Sequence, residues 1–167
     1  MATDYALGRC GISRASFTRP SNTTTYTAGD VVSDSTNVMT FSNALKEGCG
    51  SIQSVLLLDS ANQTLLLDSE LWLFTVAPAV TTDNAAVAFT DAELANLVAV
   101  INMSVADGKV GLATSGAGGN AINFQGGIGL PVRGYQISND IYGVLIARNA
   151  YIPVSAEIFT ITLGVIY

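Results

Sequence analysis

Residues able to do chemistry are few in this chain, and histidine is absent from all 167 positions. Histidine is the usual general base and a frequent metal ligand, so its absence removes every arrangement that needs an imidazole, including the Ser–His–Asp triad. Two cysteines, Cys10 and Cys49, and seven basic residues complete a sparse set. We therefore expect a structural or binding protein rather than an enzyme, with no catalytic residue, no cofactor and no metal.

Carboxylates are the remaining groups that could support catalysis or bind a metal. Asp68 and Glu70 lie two positions apart, which puts both on one face of a strand, as in the acid–base pair of a glycosidase. A solvated strand edge, where charge discourages pairing with another strand, explains the same spacing and is the interpretation we favour. Side-chain oxygens of the kind that Ca²⁺ prefers also occur at Asp83, Asn84, Asp91 and Glu93, although the last two equally suit a helix N-terminus.

Glycine is concentrated in two runs, Ser115–Asn120 and Gln125–Gly129. A nucleotide-binding loop needs a lysine directly after its glycines and then a helix, whereas Lys109 precedes both runs. The runs therefore indicate flexible loops or bulged edges around a short strand at residues 122–124, rather than a phosphate site.

Charge is scarce, because 12% of the residues are charged against about 25% in an average soluble domain, and the net charge is −6. No stripe of basic residues is interleaved with aromatic ones, so nucleic acid is not an expected partner. Residues 1–5 do not resemble a signal peptide and no run approaches the ~18 apolar residues of a membrane helix, so we expect cytoplasmic synthesis and no membrane. A surface with so little charge predicts coverage by other subunits, including copies of the same chain.

The two cysteines do not form a redox or zinc motif, because neither belongs to a Cys-x-x-Cys pair. In a reducing cytoplasm we favour two free, buried thiols. A disulfide between Cys10 and Cys49 stays the alternative.

Alternation of apolar and polar residues with a period of two dominates the sequence. Toward the C-terminus, four apolar residues at alternate positions from 159 to 165 fall on one face of a strand. Residues 141–152 form a second alternating stretch. The break at residues 153–156 predicts that these two strands are adjacent and antiparallel.

The sequence Leu-Leu-Leu-Asp-Ser occurs twice, at residues 56–60 and 65–69, with a polar break between the copies. This pattern predicts a hairpin whose strands are covered on both faces, inside a sandwich or at a subunit contact. The second strand continues through Trp72, which we expect to pack in the core. Shorter strands are predicted at residues 31–32 and 38–41.

One short helix is predicted to begin at Thr90 and to end at about Ile101. Thr90 is a good N-cap, and Glu93 completes a capping box with it. Phe89 and Leu94 occupy the hydrophobic-staple positions, and apolar residues follow at helical spacing. These independent signals favour a helix of about three turns.

Together these patterns predict an all-β fold, a jelly-roll-like β-sandwich of about eight strands with one short α-helix (about 90–101). We expect a single domain over residues 14–167. An N-terminal arm at residues 1–13 precedes it, because the strand pattern begins only near Phe17.

Three of the seven basic residues, Arg9, Arg14 and Arg19, lie within the first 19 positions. They either keep the arm solvated or dock it by charge on an acidic neighbour. Within the arm, Tyr5, Leu7 and Arg9 offer an aromatic, an aliphatic and a cationic contact. We expect these three residues to bind a partner.

The segment Ala15–Val32 resembles the start of a group of small structural proteins of tailed bacteriophages. The resemblance covers more than half of the chain and continues through Ser51–Gln63, Leu71–Pro78, Thr82–Phe89 and the predicted helix. The glycine-rich third after Asp107 lies outside it.

The phage proteins in question are head decoration or cement proteins, which have jelly-roll-type folds and sit as trimers on capsid lattices. The resemblance implies a virion structural protein that binds the major capsid protein at the surface of the assembled head and stabilises it, itself a homotrimer without catalytic residues. An alternative of a different class is a tail- or fibre-associated module that binds a receptor glycan. Such a module would need exposed aromatic side chains.

Overall fold

Two antiparallel sheets make up the computed structural model, which describes residues 9–61, 66–79, 82–104, 108–110, 121–133 and 138–167. Within these ranges no helix is long and apolar enough to cross a membrane. The elements in chain order are β1 (Cys10–Thr18), β2 (Val31–Val32), β3 (Met39–Phe41), β4 (Cys49–Asp59), β5 (Ser69–Phe74), α1 (Asp91–Leu94), β6 (Leu97–Met103), β7 (Gly108–Val110), β8 (Ala121–Arg133), β9 (Ile141–Ala147) and β10 (Ile158–Ile166).

The strand order identifies the sandwich as a jelly roll. The first sheet has the order β1-β10-β4-β8-β7, and the second has β2-β9-β5-β6, with β3 following β2 along the same side of β9. The chain crosses from one sheet to the other at most of its connections. If β2 and β3 are counted as one interrupted strand, this is the eight-stranded jelly roll with β7 added at an edge. The predicted all-β, jelly-roll-like class is confirmed.

The main core lies between the sheets and follows the predicted alternation. The four apolar residues at alternate positions from 159 to 165 of β10 are all buried. Ala15 and Phe17 of β1 lie beside them, and the rings of Phe17 and Phe159 are 5.6 Å apart. Burying a side chain of this size stabilises the fold by about 1.5–3 kcal/mol. β10 therefore contributes strongly to the stability of the sandwich.

A second apolar cluster lies on the outer face of the second sheet. Residues 87–89, just before α1, cover this face, and Phe89 packs against Trp72 and Phe74 at ring-centroid distances of 5.5 and 5.0 Å. Trp72 is half-buried here, so it packs in this outer cluster rather than between the sheets.

The helix begins where the sequence predicts and ends much earlier. The hydroxyl of Thr90 accepts the backbone N–H of Glu93, and the Glu93 carboxylate accepts that of Thr90, which confirms the capping box. α1 ends at Leu94, and the rest of the predicted helix is wrong, because β6 begins at Leu97. The β-branched residues of this segment favour a strand, and β5 supplies its backbone with hydrogen-bond partners.

Both predicted strand pairings are wrong, for one physical reason. β4 pairs with β10 and β8, whereas β5 pairs with β9 and β6, so the two leucine runs do not form a hairpin. β9 ends at Ala147 and lies in a different sheet from β10, so these two strands are not adjacent either. Alternation identifies a strand but not its neighbour, and jelly-roll connections pass between sheets.

β1 begins earlier than the sequence predicts. It pairs with β10 from Cys10 to Thr18, so residues 10–13, which we assigned to the arm, belong to the sheet. The inner face of β1 carries the small residues Ser13 and Ala15 before Phe17, which weakens the apolar pattern. Of the predicted arm, residues 1–8 lie outside the described residues.

The second glycine run lies inside β8, where the pairing with β4 shifts register between Ile52 and Ser54. Gly127 and Gly129 have φ angles of +70° and +58°, a region that glycine adopts without strain. The predicted bulge is confirmed for this run, and the strand around it is longer than predicted. The first run, Ser115–Asn120, lies outside the described residues.

Candidate functional site

One end of the sandwich, where β1 begins and β10 ends, carries exposed apolar side chains. Ile166 and Tyr167 are 43% and 38% exposed. Arg9 is also exposed, and its backbone N–H and C=O exchange hydrogen bonds of 2.8 Å with those of Tyr167. We call this surface, formed by Arg9, Ile166 and Tyr167, the arm end, because the segment 1–8 joins the domain here.

Of the predicted partner-binding residues, the structure places only Arg9, because Tyr5 and Leu7 lie outside the described residues. The pairing with Tyr167 holds Arg9 in extended form, in register with β1. A Cβ atom at the neighbouring Gly11 would overlap the Tyr167 hydroxyl. Glycine at this position therefore lets the terminal ring lie against β1.

Both cysteines lie at the same end of the sandwich, exposed and unpaired. Cys10 pairs with Ile166 of β10, which in turn pairs with Ser51 of β4, two residues from Cys49. Two strand spacings of about 4.8 Å separate β1 from β4, beyond the roughly 6.8 Å Cα distance that a disulfide spans. The expectation of free thiols is confirmed, whereas the expectation of burial is wrong, because both residues lie at strand ends.

At the opposite end of the sandwich, Arg19 is buried, with 2% of its surface exposed. Its Nη2 lies 3.0 Å from Asp83 Oδ2, its Nε donates to the Tyr26 hydroxyl, and its Cζ lies 4.6 Å from the centroid of the Tyr26 ring. The Tyr26 hydroxyl in turn donates to Asp83 Oδ1 at 2.5 Å. Both sequence interpretations are wrong for Arg19, which neither solvates the arm nor docks it. It ties the end of β1 to the segment before α1.

A second buried polar cluster adjoins the first. The Tyr151 hydroxyl lies 2.6 Å from Glu157 Oε1 and 3.1 Å from Asp59 Oδ2. Burial and the hydrogen bond to Glu157 raise the pKa of Asp59 to about 8, so Asp59 keeps its proton at neutral pH. The rings of Tyr26 and Tyr151 stack with their centroids 6.4 Å apart, and the backbone N–H of Arg19 donates to the backbone carbonyl of Glu157 at 2.9 Å. The two clusters thus form one continuous polar layer.

Next to this layer, the connection between β9 and β10, together with the first residue of β10, exposes a second group of aliphatic side chains. Ile152, Val154 and Ile158 are all exposed. The Glu157 N–H donates to the Val154 carbonyl at 3.2 Å, and Ala156 lies in the left-handed region with φ of 54°. We call the surface formed by Ile152, Val154 and Ile158 the tip. It lies at the opposite end of β10 from the arm end.

The carboxylates considered for catalysis make structural contacts. Glu70 accepts the Trp72 indole N–H at 2.8 Å and pairs with Arg148. Partial burial alone would raise the pKa of Glu70, but the hydrogen bonds from Arg148 and Trp72 outweigh it and the net pKa is lowered. Glu70 is therefore poorly suited to act as a general acid. The backbone carbonyl of Asp68 accepts the Arg148 N–H at 2.6 Å.

The structure does not bring the four candidate calcium ligands together. Asp83 is paired with Arg19, whereas Glu93 caps α1 and also accepts the Ala79 N–H at 2.6 Å. The Asn84 amide donates to the carbonyls of residues 24 and 25. Across the described ranges no group of three or more cysteine or acidic side chains is placed to hold a metal ion.

No family model and no curated protein matches this chain. Among solved structures, the chain is similar to one from the capsid asymmetric unit of the cyanophage Pam1. The sequence identity is 14%, the match covers 95% of this chain and 85% of that chain, and the TM-score is 0.38.

Removing Asp83 should destabilise the fold far more than removing Glu70. Asp83→Ala leaves the Arg19 guanidinium buried without its counter-ion, a change that typically costs about 3–5 kcal/mol. Glu70→Ala breaks a partly exposed pair with Arg148, which is worth about 0–1 kcal/mol. Equilibrium unfolding in urea measures both losses, and equal losses would contradict the structural role of the Arg19–Asp83 pair.

Asp59→Asn should remove much of the pH dependence of stability between about pH 5 and 7. The folded chain holds the Asp59 proton up to a pKa of about 8, so unfolding releases this proton once the pH exceeds the unfolded pKa of about 3.9. The free energy of unfolding then falls as pH rises, by up to about 1.4 kcal/mol per pH unit. An asparagine cannot ionise. Its amide oxygen can still accept the backbone N–H of Ala61, which lies 2.8 Å from Asp59 Oδ1 in the wild-type chain.

Asp34→Asn is the control for this measurement. Slight burial would raise the pKa of Asp34, but backbone hydrogen bonds from Thr36 and Asn37 outweigh it and lower the pKa. Asp34 therefore titrates below the window in question, and its variant should keep the wild-type slope. If the Asp59 variant keeps that slope as well, Asp59 is not the group that titrates.

Proposed function

We propose that this protein is a structural component of a bacteriophage virion, a decoration protein that binds the major capsid protein on the assembled head. The observation that carries the proposal is the presence of exposed apolar side chains at both ends of one jelly roll, the arm end and the tip. Isolated exposed apolar residues are ordinary, but grouped ones at opposite ends suit a body that touches two neighbours. The sequence resemblance of residues 15–101 to head decoration proteins supports the same function.

Binding at both ends would let one molecule bridge neighbouring capsid subunits. In the sequence before the arm end, Tyr5 and Leu7 offer an aromatic and an aliphatic contact, and Arg9 at the arm end supplies a cation for an acidic surface. Several weak contacts made by one oligomer act together, which gives tight attachment to the lattice. A ligand that binds only the assembled shell stabilises it by mass action. In this proposal the protein acts at the capsid surface, after synthesis in the host cytoplasm, without catalysis, cofactor or metal.

The glycan-binding alternative is less well supported. A sugar platform needs an open aromatic face. Among the aromatic side chains that the structure describes, only Tyr167 is exposed, and Phe89 packs against Trp72. A decoration function is therefore the better account of the surface.

The purified protein should be a stable homo-oligomer, most simply a trimer. The low proportion of charged residues leaves much apolar surface, and Leu56 and Leu58 of β4 are only half-buried in the single chain. Light scattering coupled to size exclusion should give a mass near three times that of the 17.3 kDa chain. A 17.3 kDa species alone at micromolar concentration would contradict the trimer.

Deleting residues 1–8 should leave the fold intact and weaken capsid binding. The strand begins at Cys10, so this deletion spares every paired residue of β1, whereas a deletion through Ser13 would remove part of the sheet. Co-sedimentation with capsids that lack the protein should show at least a tenfold weaker affinity, equivalent to about 1.4 kcal/mol.

Arg9→Gln in the full-length chain is the companion variant for that deletion. It should make binding less dependent on salt, because one charge contact to the shell is lost. Unchanged affinity after the deletion, together with an unchanged salt response in the Arg9 variant, would rule out the arm end as a docking surface.

A further inference from the structure

β1 is an edge strand whose outer side has no backbone partner in the part of the chain that the structure describes. Arg9 and Tyr167 exchange both of their backbone hydrogen bonds, and the register continues without a shift through Thr18. Hydrogen-bonded and non-hydrogen-bonded pairs alternate along an antiparallel ladder, so the odd-numbered residues of β1 bond to β10. The N–H and C=O groups of Ile12, Arg14 and Ser16 therefore point to the open side.

Within the described residues, this edge lacks most of the features that usually prevent a further strand from pairing. Edge strands are commonly short, bulged, interrupted by proline or covered by a loop. β1 is nine residues long, contains no proline, and has no register shift against β10. Its one charged residue, Arg14, is bonded to Thr162 on the outer face of the sheet. The segment 34–40 leaves an open groove of about 430 Å³ beside residues 14–17.

Ile12 adds an apolar contact point to this edge. It is 76% exposed, the highest value among the large hydrophobic residues of the described ranges. It lies on the outer face of the sheet, on the same face as Cys10 and Arg14, which are two positions before and after it. An edge with free backbone groups and an exposed isoleucine can gain both hydrogen bonds and apolar burial from a second strand.

We propose that β1 pairs with β1 of a second copy of the chain. The two strands would be antiparallel about a two-fold axis at Ile12, so that the first sheet of each copy becomes part of one continuous sheet. A two-fold contact satisfies the same groups on both copies at once. Three residue pairs would each exchange two backbone hydrogen bonds, with Ile12 opposite Ile12 and Cys10 opposite Arg14 on either side of the axis.

The register follows from charge and burial. In an antiparallel pair, the backbone groups on the open sides can meet in three registers around Ile12 and Arg14. Arg14 then faces Arg14, Arg14 faces Ile12, or Ile12 faces Ile12. The first register places like charges directly opposite each other, which is destabilising. The second leaves each isoleucine beside a guanidinium. The third brings the two exposed isoleucines together and buries the most apolar surface.

This contact is separate from the surfaces assigned to the capsid. Pairing in this register spans residues 9–15 and leaves the segment 1–8 and the tip outside the paired region. The outer face of β4, with Leu56 and Leu58, is also left free. The edge contact therefore uses none of the groups assigned to the shell, and in a trimer it would join one trimer to another at the higher concentrations at which it forms.

Disulfide trapping of Ile12→Cys tests the register directly. In a Cys10→Ser, Cys49→Ser background, the two introduced thiols would lie on residues about 5.5 Å apart, within the range that a disulfide spans. Ser16→Cys is the matched control, because Ser16 is also exposed and on the same face of β1. In the proposed register it lies about 27 Å from its mate. With purified chain, diamide as oxidant and no capsid present, non-reducing electrophoresis should show linked dimers at least tenfold faster for Ile12→Cys.

Equal cross-linking rates for the two variants, or no linked dimer with Ile12→Cys, would overturn the proposal. Circular dichroism establishes that both variants are folded, which is expected because both positions are exposed. Because the assay uses the isolated chain, a failure of capsid binding leaves its outcome unchanged.

Discussion

The last two strands, β9 and β10, each lie in the interior of one of the two sheets, and the rest of the structure depends on their pairing. β10 lies between β1 and β4, and β9 lies between β5 and the pair β2 and β3. Neither sheet is complete until residues 141–166 are in place. Most of the contacts therefore join residues distant in sequence, which is the topology that makes folding slow and cooperative. The buried side chains of β10 hold the first strand of the domain to its centre.

Where the strands end, a polar layer takes over from the apolar core. Arg19 with Asp83, and Tyr151 with Asp59 and Glu157, join four separate segments of the chain through buried hydrogen bonds. Burial raises the pKa of Tyr26 and that of Tyr151, so both hydroxyls stay protonated and can donate to Asp83 and to Glu157. Buried polar groups stabilise little compared with an apolar core, but they tolerate only one arrangement of their partners. This layer fixes the path of the connection between β9 and β10, where the tip lies.

Local features of the fold could be predicted from the sequence, and long-range ones could not. Alternation located the buried face of β10, and the capping box located the first residue of α1, because both depend on neighbours within a few positions. The partner of each strand depends on how connections cross the sandwich, so the hairpins were predicted wrongly. The burial of Arg19 depends on Asp83, 64 positions away, and no local pattern marks it. At the candidate docking surfaces, Arg9 was predicted from its type and stays a prediction, whereas the tip was missed because its aliphatic residues resemble the continuation of a strand.

Cys10 and Cys49 are both exposed at one end of the molecule, so that end alone presents reactive thiols to the solvent. Cysteine is among the most buried residue types, and thiols react only where reagents can reach them. Alkylating reagents can therefore reach both cysteine thiols of this chain while the protein stays folded. A fluorophore or heavy-atom label attached there would mark the arm end and no other surface, and its shielding in an assembly would report which way the molecule faces.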